Sequence, residues 1–588
     1  MKKILLNAIG KYKLAIILAI IFIVLNIYIL TLPSKIIGNI IDLFGDLEKN
    51  VDSITRYTYY LLASVTIALF TKVIARILSI YNARSIERQI KNKVFEHFTR
   101  MKMTNIQNIK NGELMSYLVK DSNEIRGGIL RIFFITRGLS TLVITGIAMA
   151  KGVDFKLTII TFTPMIITAF AMIIITKHIE KNFKISQNYF TDLSEYVQES
   201  TDAIETTKAY SQEFYQLKNF MKKNKKLNNI NNKVDIFSTL LSITMNIGFG
   251  LCYSVALIFG SKLVLENQIT IGEFVEFNGY IALFVKPIRA IPTIISRLKR
   301  AKISYGRLDR FLSFEKEKID ISTDNISEKL NGDICIEDLT FNYPETVDMV
   351  LENINLKIKK GETLGIIGKV GSGKTTLLNL LIRLYPVKPG KIFIDGRDIN
   401  NIPIEVIREN VAYITQENFL FSTTLKQNIN LFREEYDIES IKNSTKNAMI
   451  YDEINDMPQT IETNLGGEDG IELSGGQKQR IAVSRAFLKK SSIVLFDDTF
   501  SALDNKTEKE VLKNIKELTK DKTCIIVSNR ISDIKHSDKI IVLDTGKIIE
   551  TGTHKELLNQ KGSYYKFYMQ QITKSKGGDF LDEEQSVV

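Results

Sequence analysis

The chain has 588 residues, of which 45% are hydrophobic and 24% charged, and it carries a formal net charge of +12. That length exceeds a single core and predicts two to four domains. Long apolar runs fill the chain up to about residue 300 and then stop, which excludes both a wholly soluble and a disordered protein. Leu14–Leu32, broken only by Asn26 and Thr31, is long enough to cross a hydrocarbon layer of roughly 30 Å. It is too long for a secretory signal and lacks a small-residue cleavage site, so it is expected to be retained. Further spans are predicted at 57–79, 133–150, 157–175, 240–263 and 271–294. That makes six, the last two being the weakest in hydropathy.

Charge orients these spans. Lys2, Lys3, Lys11 and Lys13 precede the first, Arg84–Lys102 follows the second, and Lys177–Lys226 follows the fourth. The remaining loops are short or acidic. By the positive-inside rule both termini are cytoplasmic. Because the basic residues flank apolar segments, they read as topology signals and not as a nucleic-acid surface. The two cytoplasmic connections, 80–132 and 176–239, read as helical over Arg88–Met101 and Tyr189–Phe214, which contain no proline or glycine. Late in the sixth span stand Lys286 and Arg289. Such charges either face a watery cavity within a bundle or snorkel to the interface, and the sequence leaves both open.

After Arg310, β-branched strands alternate with helical patterns. A strand runs into GxxxxGKT, formed by Gly368, Lys369, Val370, Gly371, Ser372, Gly373, Lys374 and Thr375, with Thr376 next. Its glycines let backbone N–H groups point at nucleotide phosphates. Lys374 reaches the β and γ oxygens, the Thr375 hydroxyl ligates magnesium, and the following helix adds its positive end. Downstream lies Leu473, Ser474, Gly475, Gly476 and Gln477, again small residues at a helix start. An apolar strand from Ser492 then ends at Asp497, where a magnesium-orienting carboxylate would sit. Alone, the pentapeptide or the strand end would read as an ordinary turn. Cys252, Cys335 and Cys524, far apart and without CxxC spacing, exclude a disulfide scaffold and a zinc finger.

The order of these pieces resembles an ABC transporter half of the exporter type, over nearly the whole chain. The implied fold is multi-domain: an all-α six-helix transmembrane domain (1–315), an α/β P-loop nucleotide-binding domain (332–572), and a polar, mobile tail (573–588). Ile269–Phe274, Pro287, Arg307 and Leu308 also match that type. The resemblance implies ATP and Mg2+ as cofactors, with Thr375, Asp497 and Gln416 as magnesium-site residues. It places Tyr343 on adenine, Gly467–Gly470 before the signature and Ser501–Asp504 after the aspartate strand. Segments near 103–111 and 202–212 would dock on nucleotide-binding domains.

Two positions depart from the family pattern. A glutamate normally follows the aspartate, and here it is Asp498, one methylene shorter and drawn back by ~1.5 Å. A histidine normally follows the strand ending at Ser528, and here it is Asn529, which cannot carry a proton's charge. The histidines, His97, His178, His536 and His554, lie elsewhere. Because sites in this family form head to tail between two domains, the pattern implies a degenerate half. It would bind ATP and hydrolyse little in its own site, while Leu473–Gln477 completes the site of a second ABC half-transporter chain. A homodimer with slow hydrolysis at both sites, an ATP-gated regulatory subunit and an importer are the alternatives. The transported small molecule, lipid or peptide is not legible. Topology and the Lys-, Ile- and Asn-rich composition suggest a bacterial cytoplasmic membrane.

Overall fold

The computed structural model describes residues 7, 10–44, 47–109, 111–317, 328–344, 348–466 and 470–575. The chain divides into two compact units, one of residues 1–99 and 109–314, the other of residues 100–108 and 315–588.

The first unit is helical, built from α1 (Lys13–Leu43), α2 (Leu47–Thr99), α3 (Ser122–Gly152), α4 (Phe155–Asp202), α5 (Glu213–Leu265) and α6 (Ile271–Phe311). Among the described residues, five helices, α1 to α5, are long and apolar enough to cross a membrane. The sixth predicted span lies in α6, which is not among them. The reason is its charge. Glu273, Glu276, Lys286 and Arg289 interrupt the apolar run, and what remains apolar forms one stripe. Phe277, Ile281, Phe284 and Ile288 from that stripe are buried with Met165, Met172, Met245 and Cys252.

Local signals set the helix starts. Thr270 caps α6 in a reciprocal box with Glu273, and the Asp154 side chain accepts from Leu157 N to cap α4. At least one buried polar side chain inside the bundle is paired across helices, as expected where no water is available. Asn26 on α1 donates to Ala68 O at 2.7 Å and to Thr71 Oγ1 at 3.0 Å on α2.

The expectation of continuous helix over Tyr189–Phe214 is corrected. α4 ends at Asp202, a short helix spans Ile204–Ala209, and Ser211 adopts a φ of 52° before α5 begins. The residues are good helix formers, but propensity is a weak prior. The reversal lets α4 and α5 pair along their length. Likewise α2 stops at Thr99 and not Met101, because Met101 bridges to Lys316 in the second unit.

That second unit holds two sheets. One is antiparallel, ordered β2-β1-β4-β5, from β1 (Ile334–Phe341), β2 (Leu351–Ile358), β4 (Ile392–Ile394) and β5 (Arg397–Asp398). The other is ordered β10-β9-β3-β8-β7-β6, from β3 (Thr363–Gly368), β6 (Val411–Ile414), β7 (Ile493–Asp497), β8 (Thr523–Val527), β9 (Lys539–Asp544) and β10 (Lys547–Gly552). Its strands are parallel except β10. β7 and β8 are buried at every position, the run of apolar residues expected for parallel strands covered on both faces. One core fills the space between the sheets around α7 (Lys374–Leu381), and a second packs Phe496 and Ile526 against Ile481 and Val483 of α8 (Gly475–Leu488).

Residues 100–108 belong to this unit. Glu317 N donates to Arg100 O at 2.7 Å, Lys102 pairs with Glu315, and the Gln107 amide donates to the Tyr385 hydroxyl. Thr573–Ser575, placed in the tail by sequence, instead close the last helix, α10 (Ser563–Ser575), which follows α9 (Asn505–Leu518). The rest of that tail lies outside the described residues.

Candidate functional site

The GxxxxGKT residues form the turn from β3 into α7. Gly371 and Gly373 take φ of 83° and 97°, a region that only glycine enters without strain. At Gly373 a Cβ would also lie 2.7 Å from Leu351 Cδ2 and 2.8 Å from Val350 O. Lys374 turns its ammonium back into the loop and donates to Gly368 O at 2.7 Å and Lys369 O at 2.8 Å. Burial lowers its pKa, while Asp498 and Asp497 pull it up. Ser372 Oγ is buried without a hydrogen-bond partner. An orphaned hydroxyl beside a buried ammonium, at a helix start, suits an anionic phosphate.

Asp497 ends β7 beside this loop, and its Oδ1 accepts from Thr375 Oγ1 at 3.1 Å. Its Oδ2 accepts from the Tyr413 hydroxyl at 3.4 Å. Burial raises the Asp497 pKa, against the opposing pull of those two hydrogen bonds and of Lys374. A hydroxyl and a carboxylate meeting at one point are the oxygen donors a magnesium ion takes, with phosphate and water completing its shell. Gln416 is exposed on the loop after β6. Among the described residues no three His, Cys, Asp or Glu side chains cluster to hold a metal on their own.

Asp498 has a φ of 46°, and its backbone N donates to Val527 O at 2.8 Å. Asn529, after β8, donates from Nδ2 to Asp498 Oδ2 at 3.2 Å. The two positions that depart from the family pattern therefore touch. Tyr343 shares a 2.9 Å hydrogen bond with Thr376 Oγ1 and packs edge-on against Phe341 and Tyr385.

The signature sits at the start of α8. Ser474 caps the helix in a box with Gln477, while Leu473 is buried. Gln477 Nε2 donates to Glu453 Oε2 at 2.8 Å, and Arg480 pairs with the other Glu453 oxygen at 2.6 Å. Gly475 and Gly476 complete the first turn. Gln479 links this helix to the Ser501–Asp504 loop, accepting from Ala502 N at 3.0 Å, and Asp504 caps α9. Gly467–Asp469 lie outside the described residues.

Sequence reasoning missed several participants. Tyr413 reaches Asp497 from the neighbouring strand, Glu453 holds the signature glutamine, and Gln571 of α10 donates to Asn529 O at 2.8 Å. Arg530 joins Glu508 at 2.9 Å and donates to Ser501 O at 2.9 Å. Tyr413 stands three residues before Gln416, so a signal lay close at hand; the partners of Glu453 and Gln571 carry none.

A P-loop domain with a carboxylate strand end, in series with a bundle of apolar helices, defines a membrane-bound nucleotide-driven machine. Residues 16–288 match the ABC transporter transmembrane region, and residues 351–501 match the ABC transporter domain. Among relatives, the chain is 31% identical over 97% of both chains to the "Probable multidrug resistance ABC transporter ATP-binding/permease protein YheI" of Bacillus subtilis. It is 31% identical to the "Multidrug resistance-like ATP-binding protein MdlA" of Buchnera aphidicola, over 95% of this chain and 96% of that one. It is 25% identical, over 95% of both, to the "ATP-dependent lipid A-core flippase" of Photobacterium profundum. The chain belongs to the ABC transporter family, as an exporter-type half with fused membrane and nucleotide-binding domains, an ATPase coupled to transport.

Proposed function

We propose that this chain is the weakly hydrolysing half of a heterodimeric exporter, set in a bacterial cytoplasmic membrane with both termini in the cytoplasm. The observation that carries this reading is the 3.2 Å contact from Asn529 to Asp498. A water-activating base needs a carboxylate within hydrogen-bond reach of the water, a contribution of about 10²–10⁴-fold. Asp498 is short by one methylene, and one of its oxygens is engaged by an amide that takes up no proton. The adjoining signature keeps its geometry, with Ser474, Gln477 and Glu453 all engaged. Loss on one side and retention on the other supports division of labour between two chains.

In this reading Tyr343 stacks on adenine, and the loop from Gly368 to Thr376 holds the phosphates. Thr375, Asp497 and Gln416 would hold magnesium, which when bound would neutralise phosphate charge. Ser474 to Gln477 and Asp504 serve the partner's site. ATP favours the closed pair of domains, and that preference shifts the membrane half between two packings. The names of the relatives, multidrug resistance and lipid A-core flipping, support amphiphilic substrates.

The test is ATPase activity of the purified chain, alone and mixed with candidate partner halves. Negligible turnover alone is expected, with activity that appears on mixing, survives Asp498→Asn and falls on Ser474→Ala. Appreciable turnover alone, abolished by Asp498→Asn, would establish a homodimer instead.

A further inference from the structure

Behind Asn529 lies a group of buried ionisable side chains that the nucleotide chemistry described so far does not use. Asp533, on the short helix Ile531–Ile534, is 5% exposed, and Glu508, in the first turn of α9, is 4% exposed. The two carboxyls lie within hydrogen-bond reach of each other. Glu508 has a cation, since Arg530 Nη1 donates to its Oε2 at 2.9 Å. Among the described residues Asp533 has no ion pair. It accepts instead from two hydroxyls, Ser528 Oγ at 2.5 Å and Ser532 Oγ at 3.2 Å.

Two carboxyls against one guanidinium leave a buried site with one negative charge too many. The other elements packed on the short helix do not balance it. β3 and β8 contain no charged residue, and α10 presents the uncharged Gln571, whose Oε1 accepts from Ile531 N at 2.9 Å. Like charges so close do not both ionise cheaply, and a buried carboxylate without a cation is costly. Burial, and then the neighbouring Glu508 carboxyl, push the Asp533 pKa up to about 7, against the pull of the Ser528 hydroxyl. At and below neutral pH the pair therefore retains a proton, and Glu508, Asp533 and Arg530 together are neutral.

This cluster is tied to the nucleotide site on both sides of Asn529. Ser528 Oγ, which donates to Asp533, also accepts from Arg530 N at 2.9 Å. Arg530, which holds Glu508, donates as well to Ser501 O at 2.9 Å, in the loop before α9. Asn529 stands between these two anchors, with its Nδ2 on Asp498 and its carbonyl held by Gln571. Loss of the proton would place a second carboxylate in competition with Glu508 for Arg530. The guanidinium would then be drawn from Ser501, and the backbone around Asn529 would lose one of its supports.

We propose that Glu508 and Asp533 are positioning residues that share one proton, and that this proton keeps Arg530 and Asn529 in place for the γ-phosphate of ATP. The site then favours ATP over ADP on the acid side and loses that preference as the pH rises. This deepens the reading of the chain's own nucleotide site given above, and rests on Asn529 as its switch position.

The test uses the full-length chain in dodecyl maltoside, an uncharged detergent. Fluorescent ATP and ADP analogues are titrated with magnesium from a pH unit below to a pH unit above about 7. The preference for ATP is expected to fall about fivefold across that range, the low end of the usual coupling between linked equilibria. Asp533→Asn, which fixes a neutral side chain of the same shape, is expected to flatten the profile at its acid-side level. Glu508→Gln is expected to move the midpoint to lower pH, because Arg530 is then left to Asp533 alone. Titration of the nucleotide's own phosphates is common to all three proteins and cancels in the comparison. Infrared difference spectra between the two ends of the range should show a protonated carboxyl in the unmodified chain, absent from Asp533→Asn. A merely structural carboxylate gives no such band. A pH profile that neither variant changes, or no carboxyl band in the unmodified chain, would overturn the proposal. A chain without preference for ATP over ADP at any pH would overturn it too, but by striking at Asn529 as the switch position and not at the shared proton.

Discussion

The side-chain amide of Asn529 donates to the Asp498 carboxylate at 3.2 Å, joining the residues that follow two neighbouring parallel strands. Register explains the meeting: Asp497 on β7 pairs with Val527 on β8, so the chain leaves both strands at the same level. Two substitutions 31 residues apart therefore act as one unit.

Restoring that unit should restore hydrolysis. In the assembled transporter, with the partner's own base disabled, Asp498→Glu combined with Asn529→His is expected to raise turnover by about 10²-fold or more. Because the residues touch, the double change should exceed the product of the single ones. Steady-state phosphate release measures this, and additive effects would count against a coupled pair.

Lys374 is expected to decide nucleotide affinity. Lys374→Ala removes the ammonium that bridges the Gly368 and Lys369 carbonyls, and a fluorescent ATP analogue should bind about tenfold more weakly or worse. Retained affinity would place the phosphates elsewhere.

The two positive-φ glycines of the loop should differ. A Cβ at Gly371 meets open space, whereas one at Gly373 strikes Leu351 and Val350. Both alanine variants force a left-handed backbone, costing about 1–2 kcal/mol, but Gly373→Ala adds steric displacement of β2. Thermal unfolding should show the larger loss for Gly373→Ala, with ATP binding abolished only there.

Asp497 should make the apo protein pH-sensitive. Burial holds its folded pKa above the ordinary carboxylate value. The native state therefore binds more protons than the unfolded chain in the window between the two, and stability falls as pH rises through it. Asp497→Asn removes that charge, so its Tm advantage should be absent in acid, grow upward through the window and hold at neutral pH, at on the order of 1 kcal/mol. Magnesium-dependent ATP affinity should fall in the same variant.

Much of this was legible before any tertiary contact was known. The five apolar helices and the P-loop depend on residues within a few positions of one another. So do the Ser474 and Asp504 caps, where hydropathy over one span or a hydroxyl three residues from an N–H is enough. Where the reading of the chain erred, a distant partner intervened. The break at Ala203 and Ser211 serves the pairing of α4 with α5, and the early end of α2 serves the bridge from Met101 to Lys316. The charges of α6 that keep it from counting as an apolar span stand in plain view.

Sequence alone determined the order of the parts, the chemistry of the phosphate loop and the two unusual residues at 498 and 529, because each is written in contiguous or fixed-spacing letters. Only the tertiary structure decided that Asn529 holds Asp498, that Gln571 holds Asn529, and that Arg307 finds a carboxylate 186 residues away. Those pairings follow from strand register and helix contact, which no local pattern carries. A cation's role depends on whether a counter-charge lies within a few ångströms of it in space, wherever that charge stands along the chain.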